Sequence, residues 1–557
     1  MNKISALILL VLISKIGSAQ TAPGKYLIQF TDKNNSPYSL SNPSAYLSQN
    51  CIERRVKFGY GFNELDIPVN PNYVQGVLDA GFSMLHHTSK WFNSITISVV
   101  DSTVIDSIVN LPFVSGVKKL PVTSISKTVD KINKEINLNK RASLVSVSEN
   151  ENQYGPGFRQ IEMLNGHLLH ELGFTGAGMD VAIFDAGWDK VDQLPAFDAL
   201  HNDGRIVMTR DFVFEDSDPV YNQSSHGMYV LSLMAGEIRD SLLGTAPDAN
   251  YFLFRTENPG SEYIVEEDNW VAAAELADSL GIDVINSSLG YSLFDDTLMN
   301  HTYADMDGNT TRCTIAADIA ASKGILVVNS AGNSGNSPWH YITAPSDGDS
   351  VLCVGAVNAD RHRAAFSSFG PASDGDVKPN VCAMGFACVI ADLDSTIRTG
   401  NGTSFSSPIT AGLATCLMQA FPDRNNIEVL HAIEQSAHRY STPSDSIGYG
   451  IPDFWKAYLI LQGNSQPYTE AIYAVTYPNP CTTEMNVIVH TENPCETEYQ
   501  IFNVVGQRIF EGRGFVASGE VGVLKLDTCI THLPPGEYGL HLQDRYRHGY
   551  LRFVVID

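Results

Sequence analysis

Apolar and polar positions change rhythm three times along this chain. From residue 25 to about 122, short alternating runs mix with brief helical ones. Residues 26–30 read as a strand, 45–57 and 73–80 as helices, 91–100 as an alternating strand, 104–110 as a helix and 114–120 as a closing strand. This predicts a small α+β domain over residues 20–123. Residues 124–153 are polar, with Lys127, Lys131, Lys134, Lys140 and Arg141 set among Ser and Asn. Such a segment has little to bury and reads as an exposed linker.

Over residues 154–465 near-continuous apolar runs alternate with longer helical ones. That pattern predicts an α/β domain, a parallel sheet with helices on both faces. Strands are expected at 180–184, 251–255, 283–286, 324–329 and 351–357, and ligands gather at the carboxyl ends of such strands. Beyond residue 465 the helical signal stops. Short alternating runs at 486–490, 499–504, 508–511, 521–526, 536–542 and 550–555 predict a β-sandwich over 466–557.

Composition narrows the partners. A chain of 557 residues exceeds one hydrophobic core. The net charge of −26 argues against nucleic acid and anionic membrane surfaces. Met1-Asn2-Lys3, an apolar run over 4–13 and Gly17-Ser18-Ala19 read as a signal peptide, residues 1–19, with Gln20 as the new N-terminus. No later run is long enough to span a bilayer and no Cys follows the cleavage site, so a soluble exported protein is expected. Nine Cys cannot all pair with one another. Cys353 and Cys416 lie in apolar runs and read as buried thiols, Cys382 and Cys388 could bridge a loop, and one pair is expected among Cys481, Cys495 and Cys529. The spacings match no zinc site.

Candidate chemistry sits at strand ends and helix starts. Gly402-Thr403-Ser404-Phe405-Ser406-Ser407-Pro408 precedes a run of small apolar residues and reads as a nucleophilic serine at the start of a buried helix. Pro408 has no N–H to return to the Ser404 carbonyl, which is tolerated only near a helix start. The strand at 180–184 runs into Asp185-Ala186-Gly187, Ser225-His226-Gly227 opens an amphipathic helix, and two further strands run into Ser287-Ser288-Leu289-Gly290 and Asn329-Ser330-Ala331-Gly332-Asn333. Each piece alone is an ordinary turn or cap. In the order Asp, His, Asn, Ser they make a set: Ser404 needs a base, His226 can take and return its proton, Asp185 would hold the imidazole, and the Asn333 amide with the Ser404 N–H would bind an oxyanion.

These motifs, with Gly244-Thr245-Ala246-Pro247, Lys378-Pro379-Asn380 and Gly448-Tyr449-Gly450, resemble the subtilisin-like (S8) serine peptidases. The resemblance implies a secreted serine endopeptidase made as a zymogen, with Ser288, Leu289, Gly290, Ala331 and Gly332 flanking a pocket and pairing with an extended substrate. Leu289 and Tyr291 suggest an apolar wall. Two positions depart from the family: Ala186 replaces a hydroxyl residue, and Met228 follows His-Gly where Thr is usual. The α+β domain resembles the family's inhibitory prosegments. No cofactor is implied, though a structural calcium ion would suit Asp305-Met306-Asp307-Gly308-Asn309, for which a plain Asp/Gly turn is the simpler reading.

In the last domain Tyr477-Pro478-Asn479-Pro480, Ile501-Phe502-Asn503-Val504-Val505-Gly506-Gln507 and Leu533-Pro534-Pro535-Gly536-Glu537-Tyr538 resemble the sorting domain of type IX secretion, with Arg552 where Lys is common. The partners implied are a protein or peptide substrate and the type IX machinery. Two rivals stand beside this reading. One is an inactive subtilase scaffold used for surface binding or adhesion; the other is an esterase or peptide ligase on the same site.

Overall fold

The computed structural model describes residues 24–81, 83–120, 153–214, 220–463, 473–477, 479–490, 495–516, 521–543 and 548–556. The expected signal peptide, the linker up to residue 152 and Pro478 lie outside the described residues.

The N-terminal unit is a four-stranded antiparallel sheet. Its strands are β1 (Lys25–Phe30), β2 (Ser83–Ser89), β3 (Ser94–Val99) and β4 (Val114–Leu120), in the order β2-β3-β1-β4. Helices at Gln49–Phe58, Pro71–Asp79 and Val104–Val109 accompany them. The long helix expected at 45–57 is divided, because Ser48 is extended and its side chain accepts from the N–H of Cys51, so a new helix starts there. The strand expected at 91–100 begins only at Ser94. Asn93, at φ 47°, turns the chain between β2 and β3, and no bounds were expected for β2.

The central unit holds a seven-stranded parallel sheet. Its strands are β5 (Asp180–Asp185), β6 (Ile206–Asp211), β7 (Asn250–Arg255), β8 (Val284–Ser287), β9 (Leu326–Ser330), β10 (Val351–Val357) and β11 (Val381–Met384). The order is β11-β10-β9-β8-β5-β7-β6, so β8 and β7 leave β5 on opposite sides. All five expected strands are present. β6 and β11 were not expected; Thr209 and Arg210 interrupt the apolar run of the first. Alternate β5 residues face opposite cores: Val181 and Ile183 join one cluster, Ala182 and Phe184 the other. The first cluster contains the helix Thr403–Ala420, buried from Thr403 to Met418; the second contains Trp270 and Ala317 from the helices Val265–Leu280 and Arg312–Ser322.

The last unit is a sandwich of two antiparallel sheets. One has strands Tyr473–Tyr477, Asn486–His490 and Val521–Lys525; the other has Cys495–Asn503, Arg508–Val516, Gly536–Gln543 and His548–Val555. Val487, Val489, Ile501, Leu540, Leu542 and Phe553 fill the space between them. Ile488 packs outward against Leu168, Trp455 and Leu459 of the central unit.

Cys382 and Cys388 form no bridge. Both are free buried thiols, and Cys388 Sγ lies 3.2 Å from the Met384 carbonyl. Cys353 and Cys416 are buried, as expected. The Asp305–Asn309 stretch makes two local turns. Asp305 Oδ2 accepts from the N–H and hydroxyl of Thr302, while the Asp307 carboxylate accepts from the N–H of Asn309 and the hydroxyl of Thr310. The two carboxylates are thus committed to separate turns, the arrangement of the simpler reading.

The N-terminal unit rests on the helix Val265–Leu280. Asp278 of that helix is buried among Arg55 (2.7 Å), Lys90 (3.0 Å) and Arg54 (3.5 Å). Asp66 of the N-terminal unit pairs with Arg55 and with Lys323 of the central unit, at 2.8 and 2.7 Å. Glu275 accepts from Ser89 Oγ and from the N–H groups of Lys90 and Trp91. Leu120, at the end of β4, packs with Tyr263 and Val265.

Candidate active site

Asp185 closes β5, and its carboxylate faces the first turn of the helix His226–Ala235. His226 Nδ1 stands 2.8 and 2.9 Å from the two carboxylate oxygens, and both side chains are fully buried. An ionised carboxylate only accepts, so Nδ1 carries the hydrogen and Nε2 is the basic nitrogen. The N–H of Ala186 donates to Asp185 Oδ1 at 2.7 Å, so the carboxylate keeps a second donor although residue 186 has no hydroxyl. Gly227 permits this approach. A Cβ there would stand 2.6 Å from the Gly187 carbonyl and 3.0 Å from Asp185 Cβ. Met228 is fully buried in the core cluster below.

Ser404 lies in the first turn of the helix Thr403–Ala420, after an extended Gly402. Its Oγ donates to the Ser288 carbonyl at 3.4 Å, and its own carbonyl accepts from Ser288 Oγ at 3.0 Å. Pro408 cannot reach that carbonyl with an N–H, so the Ser288 hydroxyl takes the helical partner's place. Asn286 Nδ2 donates to Ser288 Oγ at 3.3 Å, and Ser407 Oγ donates to Asn286 Oδ1 at 2.8 Å. This buried chain ties the end of β8 to the helix.

Asn333 is oriented by Thr403. Its Oδ1 accepts from the Thr403 N–H at 2.9 Å and from Thr403 Oγ1 at 3.0 Å. A backbone N–H can only donate, so the oxygen faces Thr403 and the amide nitrogen is the end left for a ligand. Thr403 Oγ1 also accepts from the Gly332 N–H at 3.2 Å.

His226, Ser404, Asn333, Ser288, Leu289, Gly290 and Gly332 all line one cleft of about 350 Å³. Ala331 does not. It is fully buried with Ile342, Cys353 and Ala372, and its N–H donates to the Val354 carbonyl. Tyr291 is likewise turned inward, and its hydroxyl donates to Glu257. Of the wall expected to be apolar, Leu289 is in place, and acidic groups line the cleft with it. Glu257 and Glu262 line the cleft, and with Glu266 they bring oxygens within 4.8 Å of one another, the one such grouping among the described residues. The sequence signal was there, in three Glu within ten residues just past the end of a strand.

Residues 93–450 match the Subtilase family model of S8 peptidases. The chain belongs to the subtilase family. Its central unit has the subtilisin-like α/β fold, and residues 25–137 match the S8 propeptide domain of Bacteroidota. Among curated subtilases, Subtilisin NAT of Bacillus subtilis subsp. natto is 30% identical over 282 residues, 50% of this chain and 65% of the relative. Subtilisin of Bacillus pumilus is 30% identical over 282 residues, 50% of this chain and 90% of the relative. The thermophilic serine proteinase of Bacillus sp. (strain AK1) is 33% identical over 283 residues, 49% of this chain and 60% of the relative. The matched part thus spans about two thirds of the length of Subtilisin NAT, and less of the thermophilic proteinase. A crystal structure of MycP1 with the N-terminal propeptide removed is 22% identical with a TM-score of 0.42, covering 54% of this subtilase and 96% of that chain. No helix among the described residues is long and apolar enough to cross a membrane.

Proposed function

We propose that this subtilase is a secreted serine endopeptidase with Asp185, His226 and Ser404 as its triad. The observation that carries the reading is the buried Asp185–His226 pair opening on the same cleft as Ser404 and Asn333. His226 Nε2 takes the proton as Ser404 Oγ attacks the peptide carbonyl, and it returns that proton to the leaving amine. The oxyanion is held by the Ser404 N–H and the Asn333 amide. Water then attacks the acyl-enzyme by the same proton route in reverse. Ser288, Leu289, Gly290 and Gly332 flank the substrate.

The N-terminal unit acts as the inhibitory prosegment, and residues 124–153 hold the maturation cut. Support comes from the match to S8 propeptides and from Leu120 packing beside Tyr263, next to cleft residue Glu262. The C-terminal sandwich serves as a sorting domain for type IX export across the outer membrane, on the strength of its three landmarks in order. No cofactor is required for the chemistry.

The test is peptide hydrolysis by the processed wild type beside Ser404→Ala, with fluorophosphonate labelling of both. Hydrolysis and a Ser404 adduct are expected in the wild type alone. Equal rates in the two proteins, or no adduct on folded wild type, would refute the reading.

A further inference from the structure

The cleft has a floor that the sequence did not announce. Thr343 lines it and is 6% exposed. The backbone groups of Tyr291 and Ala344 exchange hydrogen bonds at 2.8 and 3.1 Å, which pins the segment carrying Thr343 beneath Gly290. The Thr343 side chain occupies the space between the two walls. A Cβ on Gly290 would stand 2.0 Å from Thr343 Oγ1, and one on Gly332 would stand 3.1 Å from the same atom. That hydroxyl is buried and has no hydrogen-bond partner. A buried hydroxyl without a partner is destabilising, so a ligand that supplies one binds more favourably.

We propose that Thr343 sets substrate specificity, limiting the residue before the cut bond to a short side chain that can hydrogen-bond with Oγ1: serine, threonine or asparagine. This rests on the reading of the cleft as a peptidase site. The γ-methyl and hydroxyl of Thr343 fill the depth that an aromatic or long aliphatic side chain would need. A short polar side chain stops above the floor and meets the hydroxyl, which can donate or accept.

The test uses the full chain, expressed with its N-terminal unit, and a peptide series varied only at the residue before the cut. For the wild type, kcat/KM should favour serine over alanine by about five- to ten-fold and alanine over phenylalanine by roughly a hundred-fold. Thr343→Gly should raise phenylalanine cleavage above alanine cleavage. Thr343→Val keeps the volume and lacks the hydroxyl, so it should retain the bias against phenylalanine and lose the advantage of serine. A wild type that cuts after phenylalanine as well as after alanine overturns the size limit. A serine advantage that survives in Thr343→Val overturns the hydroxyl's role. No cleavage of any peptide, with Ser404→Ala indistinguishable from wild type, overturns the peptidase reading and the pocket with it.

Discussion

Ser288 and Ser404, which both line the cleft, exchange hydrogen bonds, hydroxyl to carbonyl in each direction, at 3.0 and 3.4 Å. The shorter one occupies the position that Pro408 leaves open in the helix. Ser288→Ala should strand the buried Ser404 carbonyl and cost about 1–3 kcal/mol of stability. The loss should appear in denaturant unfolding, together with a fall in kcat as the first helical turn loosens. Unchanged unfolding would show that the carbonyl finds another partner.

Asn333→Ala should lower kcat by about a hundred- to a thousand-fold, the size known for loss of one such donor in subtilisin, with little change in KM. Thr403→Val removes one of the two bonds that orient the amide and should cost less, about ten-fold, again mainly in kcat. Steady-state kinetics on both variants checks the split. An Asn333→Ala enzyme with wild-type kcat would remove Asn333 from the oxyanion role.

Docking of the N-terminal unit should weaken in acid. His87 Nε2 meets Asn269 Oδ1 at 3.0 Å in the contact, and burial pushes its imidazole from 6.5 down to about 4. A lowered value means the undocked histidine binds protons more readily. Docking is therefore complete above about pH 6.5, is lost progressively down to about 4, and loses nothing more from this group below that. Burial alone would raise the Asp278 carboxyl, yet Lys90, Arg55, Arg54 and Lys323 hold it well below the usual range, so its share is lost only as pH falls through ordinary carboxylate values. Burial raises Glu275, which acts in the opposite sense and offsets part of the loss. Inhibition measured against pH should fade below 6.5, and His87→Gln should flatten that fade. An inhibition curve flat from pH 7 to 4 in the wild type would contradict it.

If the maturation cut is self-made, Ser404→Ala should accumulate as a chain starting at Gln20, while the wild type starts near residue 150. N-terminal sequencing and intact mass decide this. Normal trimming of Ser404→Ala in a host lacking other proteases would rule self-processing out.

Deleting residues 477–557 should leave the protein in the periplasm with its triad still reactive toward a fluorophosphonate. A truncated form that reaches the medium as readily as the full chain would end the sorting assignment.

The strands of the central sheet were legible because a sheet covered on both faces demands apolar runs, and Val181–Phe184 or Val351–Val357 could be little else. The candidate residues stood out because Asp185 and Asn333 follow such runs, while His226 and Ser404 open buried helices. What escaped is set by tertiary approach. Nothing local marks Thr343 as a floor, since its place depends on the bridge between Tyr291 and Ala344, fifty-three positions apart in sequence. Ser288 read as a substrate contact, whereas its hydroxyl also completes a helix 116 residues away. The bridge that Cys382 and Cys388 could have made does not form, because closeness in sequence says nothing of side-chain direction. The two lie in different short strands, Val381–Met384 and Cys388–Ala391, and each is a free buried thiol.

The ionic clasp of Arg55, Lys90 and Asp278 bears on timing. Charges buried in a contact feel little of the surrounding salt, whereas two charged faces approaching through water are screened beyond about 8 Å at physiological ionic strength. Rising salt should therefore slow the return of a departed N-terminal unit far more than it hastens departure. In dilute surroundings a cleaved unit would fall back again and again; in brine its first escape would be its last.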